Sequence, residues 1–200
     1  FYFPKFFHPD PSVDRKSGFL IPTFSDTKSL GPSVTVPYFH VISESSDLTF
    51  KPRFFSTSEY LLQSEFRKET KNTSHIADFS INKDEDKNGT KTHFFSNSVF
   101  NLDQNFFDNS KINLKLEKVS NDDFTKVYSL ESTSPIIKDT NILENVFEFS
   151  GSRDDLDFKL SFESYESMNK LNSDKYEFVY PNYSLSKAID LESDLIESLD

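Results

Sequence analysis

The 200 residues carry 22 Lys and Arg against 33 Asp and Glu, a formal net charge of -11, with 23 Phe, 8 Tyr, one Met and neither Cys nor Trp. So acidic a chain has no basic stripe with which to displace counterions from phosphates, which argues against nucleic acid as a partner. The missing cysteines exclude disulfides, thiolate zinc sites and cysteine nucleophiles from this stretch without identifying a compartment, and no run approaches the ~18 consecutive apolar residues of a membrane-spanning helix.

The chain opens Phe1-Tyr2-Phe3-Pro4, with no initiator Met and no basic region ahead of an apolar one. The chain is therefore expected to be a piece of a longer protein. Strand-like apolar runs follow, each interrupted by a proline, Pro22 in the first and Pro37 in the run at 33–42. A proline removes a backbone donor and is normally confined to sheet edges or bulges. From 47 to 54 the period becomes two: Leu48, Phe50 and Phe54 alternate with Asp47, Thr49, Lys51 and Arg53. That period puts apolar side chains on one face of a strand and polar ones on the other.

The alternation recurs at 59–69, where Gln63, Glu65, Arg67 and Glu69 share a face, at 74–82 and at 92–102. It returns with Ile112, Leu114 and Leu116, and again at 143–150. It is clearest at 156–163, where Leu156, Phe158, Leu160 and Phe162 interleave with Asp157, Lys159, Ser161 and Glu163, and it recurs at 176–186. Polar turn clusters separate the runs, among them Asp84-Glu85-Asp86-Lys87-Asn88-Gly89 and Gly151-Ser152-Arg153-Asp154. Roughly ten antiparallel strands joined by hairpins are expected over 14–187. Ser120-Asn121-Asp122-Asp123 precedes a short helical turn through Tyr128. Residues 188–200, with Leu191, Leu195 and Leu199 among acids, read as a truncated loop and strand or as an amphipathic helix, the former preferred.

Alternation alone fits both a soluble β-sandwich and a membrane barrel. The charged polar face and the length of the segments, beyond the ~5–6 residues usual for strands, favour a wide barrel with a hydrated lumen. Tyr60, Tyr176 and Tyr180 are then expected near strand ends, in aromatic girdles. The abundance of Phe beside Asn, Lys, Asp and Ser also fits a nucleotide bias of the source genome. The expected fold class is all-β, an antiparallel transmembrane barrel segment that is incomplete as a barrel.

Residues 14–25, Asp14-Arg15-Lys16-Ser17-Gly18-Phe19-Leu20-Ile21-Pro22-Thr23-Phe24-Ser25, resemble the "RKSGFLIPSFG" stretch that opens the barrel of LptD lipopolysaccharide-assembly proteins. Val36-Pro37-Tyr38-Phe39-His40 and Asp47-Leu48-Thr49-Phe50-Lys51-Pro52-Arg53-Phe54 resemble the family's "LPYYW…DLTLTPRY" in the same order. Fainter likeness lies in Glu65-Phe66-Arg67 and in Val119 to Tyr128, and beyond about residue 130 only the alternation remains. The chain departs from the pattern at Phe39-His40, where Tyr-Trp is usual, and in the charged insertion 83–91. The resemblance implies a periplasmic jelly-roll ahead of this segment, with residues 1–13 as the junction from it, and a very large barrel in the outer membrane of a Gram-negative bacterium. It further implies lipopolysaccharide received from periplasmic bridge proteins, a plug lipoprotein in the lumen, and release into outer-membrane lipid through a lateral gate between first and last strands. Pro22 and Pro37 fall at the positions of the family's gate prolines, with Pro52 a less specific third.

The candidate sites are thus a gate at Pro22 and Pro37 and a lumen-facing charged set, Asp47, Lys51, Arg53, Glu65, Arg67, Asp157 and Lys159. No catalytic residue, metal or cofactor is expected. Asp122-Asp123 and Asp154-Asp155 sit in turn-like clusters where Asp serves local hydrogen bonding. His8, His40, His75 and His93 lack ligand spacing and an acid to complete a cluster, and are expected to be solvated or lumen-facing. Ser17-Gly18 lacks the Gly-x-Ser-x-Gly pattern of a nucleophile elbow. Two other functions fit the alternation: a general outer-membrane channel or receptor, and a soluble carbohydrate-binding sandwich.

Overall fold

The computed structural model describes residues 15–84, 89–170 and 174–187. The expected junction 1–13 with His8, the terminal segment 188–200 and positions 85–88 of the charged insertion lie outside the described residues.

The described strands form one antiparallel sheet of twelve. They are β1 (Gly18–Phe19), β2 (Thr23–Thr27), β3 (Gly31–Thr35), β4 (Tyr38–Ser43), β5 (Ser46–Phe55), β6 (Tyr60–Glu69), β7 (Thr73–Asp84), β8 (Gly89–Leu102), β9 (Asn109–Val119), β10 (Ile142–Arg153), β11 (Leu156–Ser167) and β12 (Tyr176–Lys187). The twelve reduce to ten continuous ribbons. β3 and β4 pair with β5 in one register, bridged by Val36 N–H to Pro52 O at 3.1 Å, and are a single ribbon broken at Pro37. β1 and β2 form the ribbon beside it, broken at 20–22. The expected ten hairpin strands correspond to these ribbons.

Neighbours in sequence are neighbours in the sheet, as consecutive hairpins require. The connections differ at the two ends. At one end lie short turns at 44–45, 70–72 and 154–155; at the other lies the long 120–141 connection between β9 and β10. β1 and β2 form one edge, β12 forms the other, and the sheet is open.

The two faces are inverted relative to a water-soluble protein. Register places Phe50, Phe54, Leu62, Phe79, Phe94, Phe100, Leu116, Phe147 and Phe162 on one face, and all are exposed. The opposite face buries Thr49, Arg53, Gln63, Glu65, Asp78, Ser80, Asn82, His93 and Glu117. A sandwich would bury its apolar face beneath a second sheet. All described strands belong to one sheet, and its apolar face carries no second sheet among the described residues. Phe107 on the β8–β9 connection fits against Gly151 on the apolar face, where an added Cβ would stand 2.7 Å from the ring.

The segment 120–141 lies over the polar face at the loop end. It contains helix α1 (Phe124–Val127) and a single 3-10 turn, Leu130–Ser132. The helical turn expected from Ser120-Asn121-Asp122-Asp123 is there. Its start is fixed by Asn121 Oδ1 accepting the Asp123 N–H at 3.0 Å rather than by a side-chain cap from Asp123. Phe124, Tyr128, Leu130 and Ile137 from this segment pack with Leu30, Phe55, Leu61, Phe95, Val119, Leu143 and Met168. These sheet residues are mostly at strand ends, so the apolar core is a cap at one end and the polar wall continues beyond it. Tyr60 and Tyr176 begin β6 and β12 at that same end; Tyr180 instead lies five residues into β12, a correction to its expected place in a girdle.

Candidate functional site

The edge ribbon is the least supported part of the sheet. β1 pairs with β4 over two residues, and β2 pairs with β3 alone. Between them the pairing slips by one residue, from Phe19↔Tyr38 to Thr23↔Thr35, so strand 1 carries an extra residue in the stretch that includes Pro22. Leu20 N–H donates to Pro37 O at 2.9 Å. In an antiparallel hydrogen-bonded pair the second bond would run back from the nitrogen of residue 37 to Leu20 O. Proline has no N–H, so that bond is missing. The two prolines thus meet at one weak place in the edge hairpin, and the exposed Phe19, Ile21 and Phe24 lie along it.

The turn end of this edge is tied by side chains. Arg15 contacts Asp47, donates to Glu44 O at 3.2 Å and lies 5.5 Å from the Phe39 ring centre. Ser17 Oγ accepts the Val41 N–H at 2.9 Å.

The seven charged residues expected on one wall do share the polar face. Asp47 stands opposite Arg67, and Lys51 opposite Gln63. Lys51 and Arg67 both contact Glu65, and Lys159 reaches Glu148 at 2.7 Å. They are not equally solvated. Arg53, Asp47 and Glu65 are buried, whereas Arg67, Asp157 and Lys159 are exposed. The difference follows the covering segment: Lys51 donates to Thr133 O at 3.0 Å and Arg53 to Tyr128 O at 2.7 Å. This cover escapes sequence reasoning, since the only local signal in 120–141 is the short turn.

A second arrangement concerns His93, which lies on the polar face but is covered and stands beside an acid. His93 is buried, with Nδ1 bonded to Ser80 Oγ and Nε2 3.6 Å from Asp78 Oδ1. Gln63 donates to both Asp78 oxygens, at 3.1 and 2.9 Å. The acid is brought in by β7–β8 pairing, which no local spacing announces. The trio shares residue types with a hydrolytic triad but not its layout, because the serine and the acid both come from β7 and none of the three reaches solvent. Among the described residues, no group of three or more His, Asp or Glu side chains is arranged to hold a metal.

At the loop end of the sheet, Lys175 donates to Asp122 at 3.0 Å and pairs with Glu166 at 3.1 Å, and Lys118 joins Glu166 at 3.3 Å. The hydrogen bond to Asp122, then that to Glu166, raise the Lys175 ammonium above its ordinary value. This network anchors the loop end of β11–β12 to the start of the covering segment.

No family model matches the chain. Stretches of it are similar to curated proteins named LPS-assembly protein LptD. That of Shewanella frigidimarina is 43% identical over 56 residues, 28% of this chain and 7% of the relative. That of Bordetella pertussis is 41% identical over 54 residues, 27% and 7%. That of Pseudomonas aeruginosa is 33% identical over 88 residues, 43% and 9%. The matched part spans less than a tenth of the length of each of these relatives, and the likeness to LptD proteins extends that far.

Proposed function

We propose that this chain is the opening part of an outer-membrane β-barrel of the LptD kind. The whole protein would move lipopolysaccharide to the outer leaflet and release it through a seam beside the first strands. The observation that carries this reading is the inversion of the sheet: a Phe-rich face left bare and a charged face turned inward suit lipid on one side and a hydrated lumen on the other. The strands from β5 onward are 10 to 14 residues long, enough to cross a bilayer at a barrel's tilt. An open sheet leaves backbone donors and acceptors unpaired at both edges, which is costly in hydrocarbon, so closure requires further strands.

Lipopolysaccharide, a plug lipoprotein, periplasmic bridge proteins and outer-membrane lipid are the partners in this reading, in which Pro22 and Pro37 weaken the first hairpin where the seam opens. No catalytic step belongs to it. The test is depletion of the full-length protein in its own cells, following newly made lipopolysaccharide by pulse labelling. Retention behind the outer membrane supports the proposal. Normal surface arrival with a loss of small-solute uptake would identify a general channel instead.

A further inference from the structure

The edge ribbon and the covering segment share no strand pairing, yet they meet at one side chain. Arg53, 3% exposed, donates from Nη2 to Ser25 Oγ on β2 at 2.9 Å and from Nε to Ser33 Oγ on β3 at 2.9 Å. From Nη1 it donates to Tyr128 O in the covering segment at 2.7 Å. The guanidinium also lies 4.7 Å from the Phe55 ring centre, and that ring packs on Tyr128 at 5.8 Å. A planar guanidinium with donors in a fixed fork can satisfy acceptors on three elements at once, which a lysine ammonium on a flexible stem does less well.

The burial of this cation makes the arrangement cooperative. If β2 leaves, Arg53 keeps its charge but loses an acceptor in a place water does not reach, and an undersatisfied buried cation is strongly unfavourable. The charge is relieved when water enters, and water enters when the segment above it lifts. Lifting the segment first removes the Tyr128 carbonyl and exposes the guanidinium, which weakens its hold on Ser25 in turn. We infer that Arg53 couples the edge strand β2 to the segment 120–141, so that release of the edge and uncovering of the polar face are one transition. The inference rests on the transport reading for its use: the seam and the polar path would open together.

The test uses the full-length protein in its membrane with Ser134→Cys, a buried position within the segment. Labelling by a membrane-impermeant maleimide is compared with the protein lacking that cysteine. Ser25→Ala removes an edge acceptor without touching the segment. It is expected to raise labelling at 134 about tenfold, the size of a hydrogen bond to a charged group. Arg53→Met is expected to raise it at least as much, and Ser25→Ala is expected to add nothing in that background. Should Arg53→Met fail to assemble, Arg53→Lys keeps the charge, loses the fork and is expected to show the same insensitivity to Ser25→Ala. Unchanged labelling in Ser25→Ala, or effects that multiply, would overturn the coupling. Because labelling is read rather than export, failure of the coupling is distinguishable from failure of the transport reading.

Discussion

Gln63 presents one amide nitrogen to both carboxylate oxygens of Asp78, across the β6–β7 ladder and out of contact with solvent. This amide is what makes a buried acid tolerable beneath the covering segment. Gln63→Leu keeps the approximate volume and removes the donor. It is expected to lower stability by about 1–3 kcal/mol, because a buried acceptor loses its donor. Adding Asp78→Asn is expected to recover part of that loss, measured as urea unfolding midpoints of the full-length protein in lipid vesicles. Equal destabilisation with and without Asp78→Asn would show that the two side chains are not coupled.

Phe158 and Leu160 share the apolar face, with Phe158 6.1 Å from Phe149, whereas Asp157 and Lys159 stand opposite Ser152 and Ser150 on the polar face. Single cysteines at 157 and 159 are expected to react with an impermeant thiol reagent, and those at 158 and 160 to be protected by lipid. An Arg at Phe158 is expected to cost about 2–4 kcal/mol if the site lies near the bilayer midplane. Strong labelling at 158 and 160 with protection of 157 and 159 would reverse the assigned faces.

Pro37→Val restores the one donor that the Leu20–Pro37 pair lacks. The added hydrogen bond is worth about 0.5–1.5 kcal/mol, and the paired Pro22→Val substitution adds up to as much again where an acceptor is in reach. If the edge must open during release, surface arrival of lipopolysaccharide is expected to slow by about threefold for Pro37→Val and by up to about a hundredfold for both, at unchanged protein abundance. Pulse labelling with an immunoblot of the same cells measures both. Normal arrival in the double variant would leave edge protection as the role of these prolines.

Lys175 has its ammonium raised by Asp122 and Glu166. A cation whose folded value lies above its unfolded one contributes stability that is complete below the ordinary value of 10.5 and is lost as pH climbs through the raised value. Wild-type stability is therefore expected to fall through that alkaline window more steeply than that of Lys175→Met. Parallel curves of unfolding midpoint against pH for the two proteins would remove this network from the account.

What could be read from the residues was whatever repeats locally. The two-residue period gave the faces of β5, β6 and β11, because the pleat forces every second side chain to one side. It also gave the ten ribbons, although the prolines split two of them into four strands. What stayed hidden depends on residues far apart. Asp78 finds His93 through pairing, Arg53 finds Tyr128 across 75 positions, and the covering of Glu65 but not Arg67 follows from where a loop happens to lie.

The extra residue at 20–22 behaves like a one-letter insertion in a reading frame. Phe19 and Phe24 are five positions apart, and a regular strand would point them to opposite faces. The slip in pairing restores the frame: Phe19 lies opposite Tyr38 and Phe24 opposite Val34, both on the apolar face, while Ser25 turns inward to meet Arg53. Deleting one residue from 20–22 would therefore do more than tighten a bulge. It would swap inside for outside along the whole of β2, carrying Phe24 onto the charged wall and Ser25 away from the guanidinium, a parity error that no single side-chain substitution at the edge could repair.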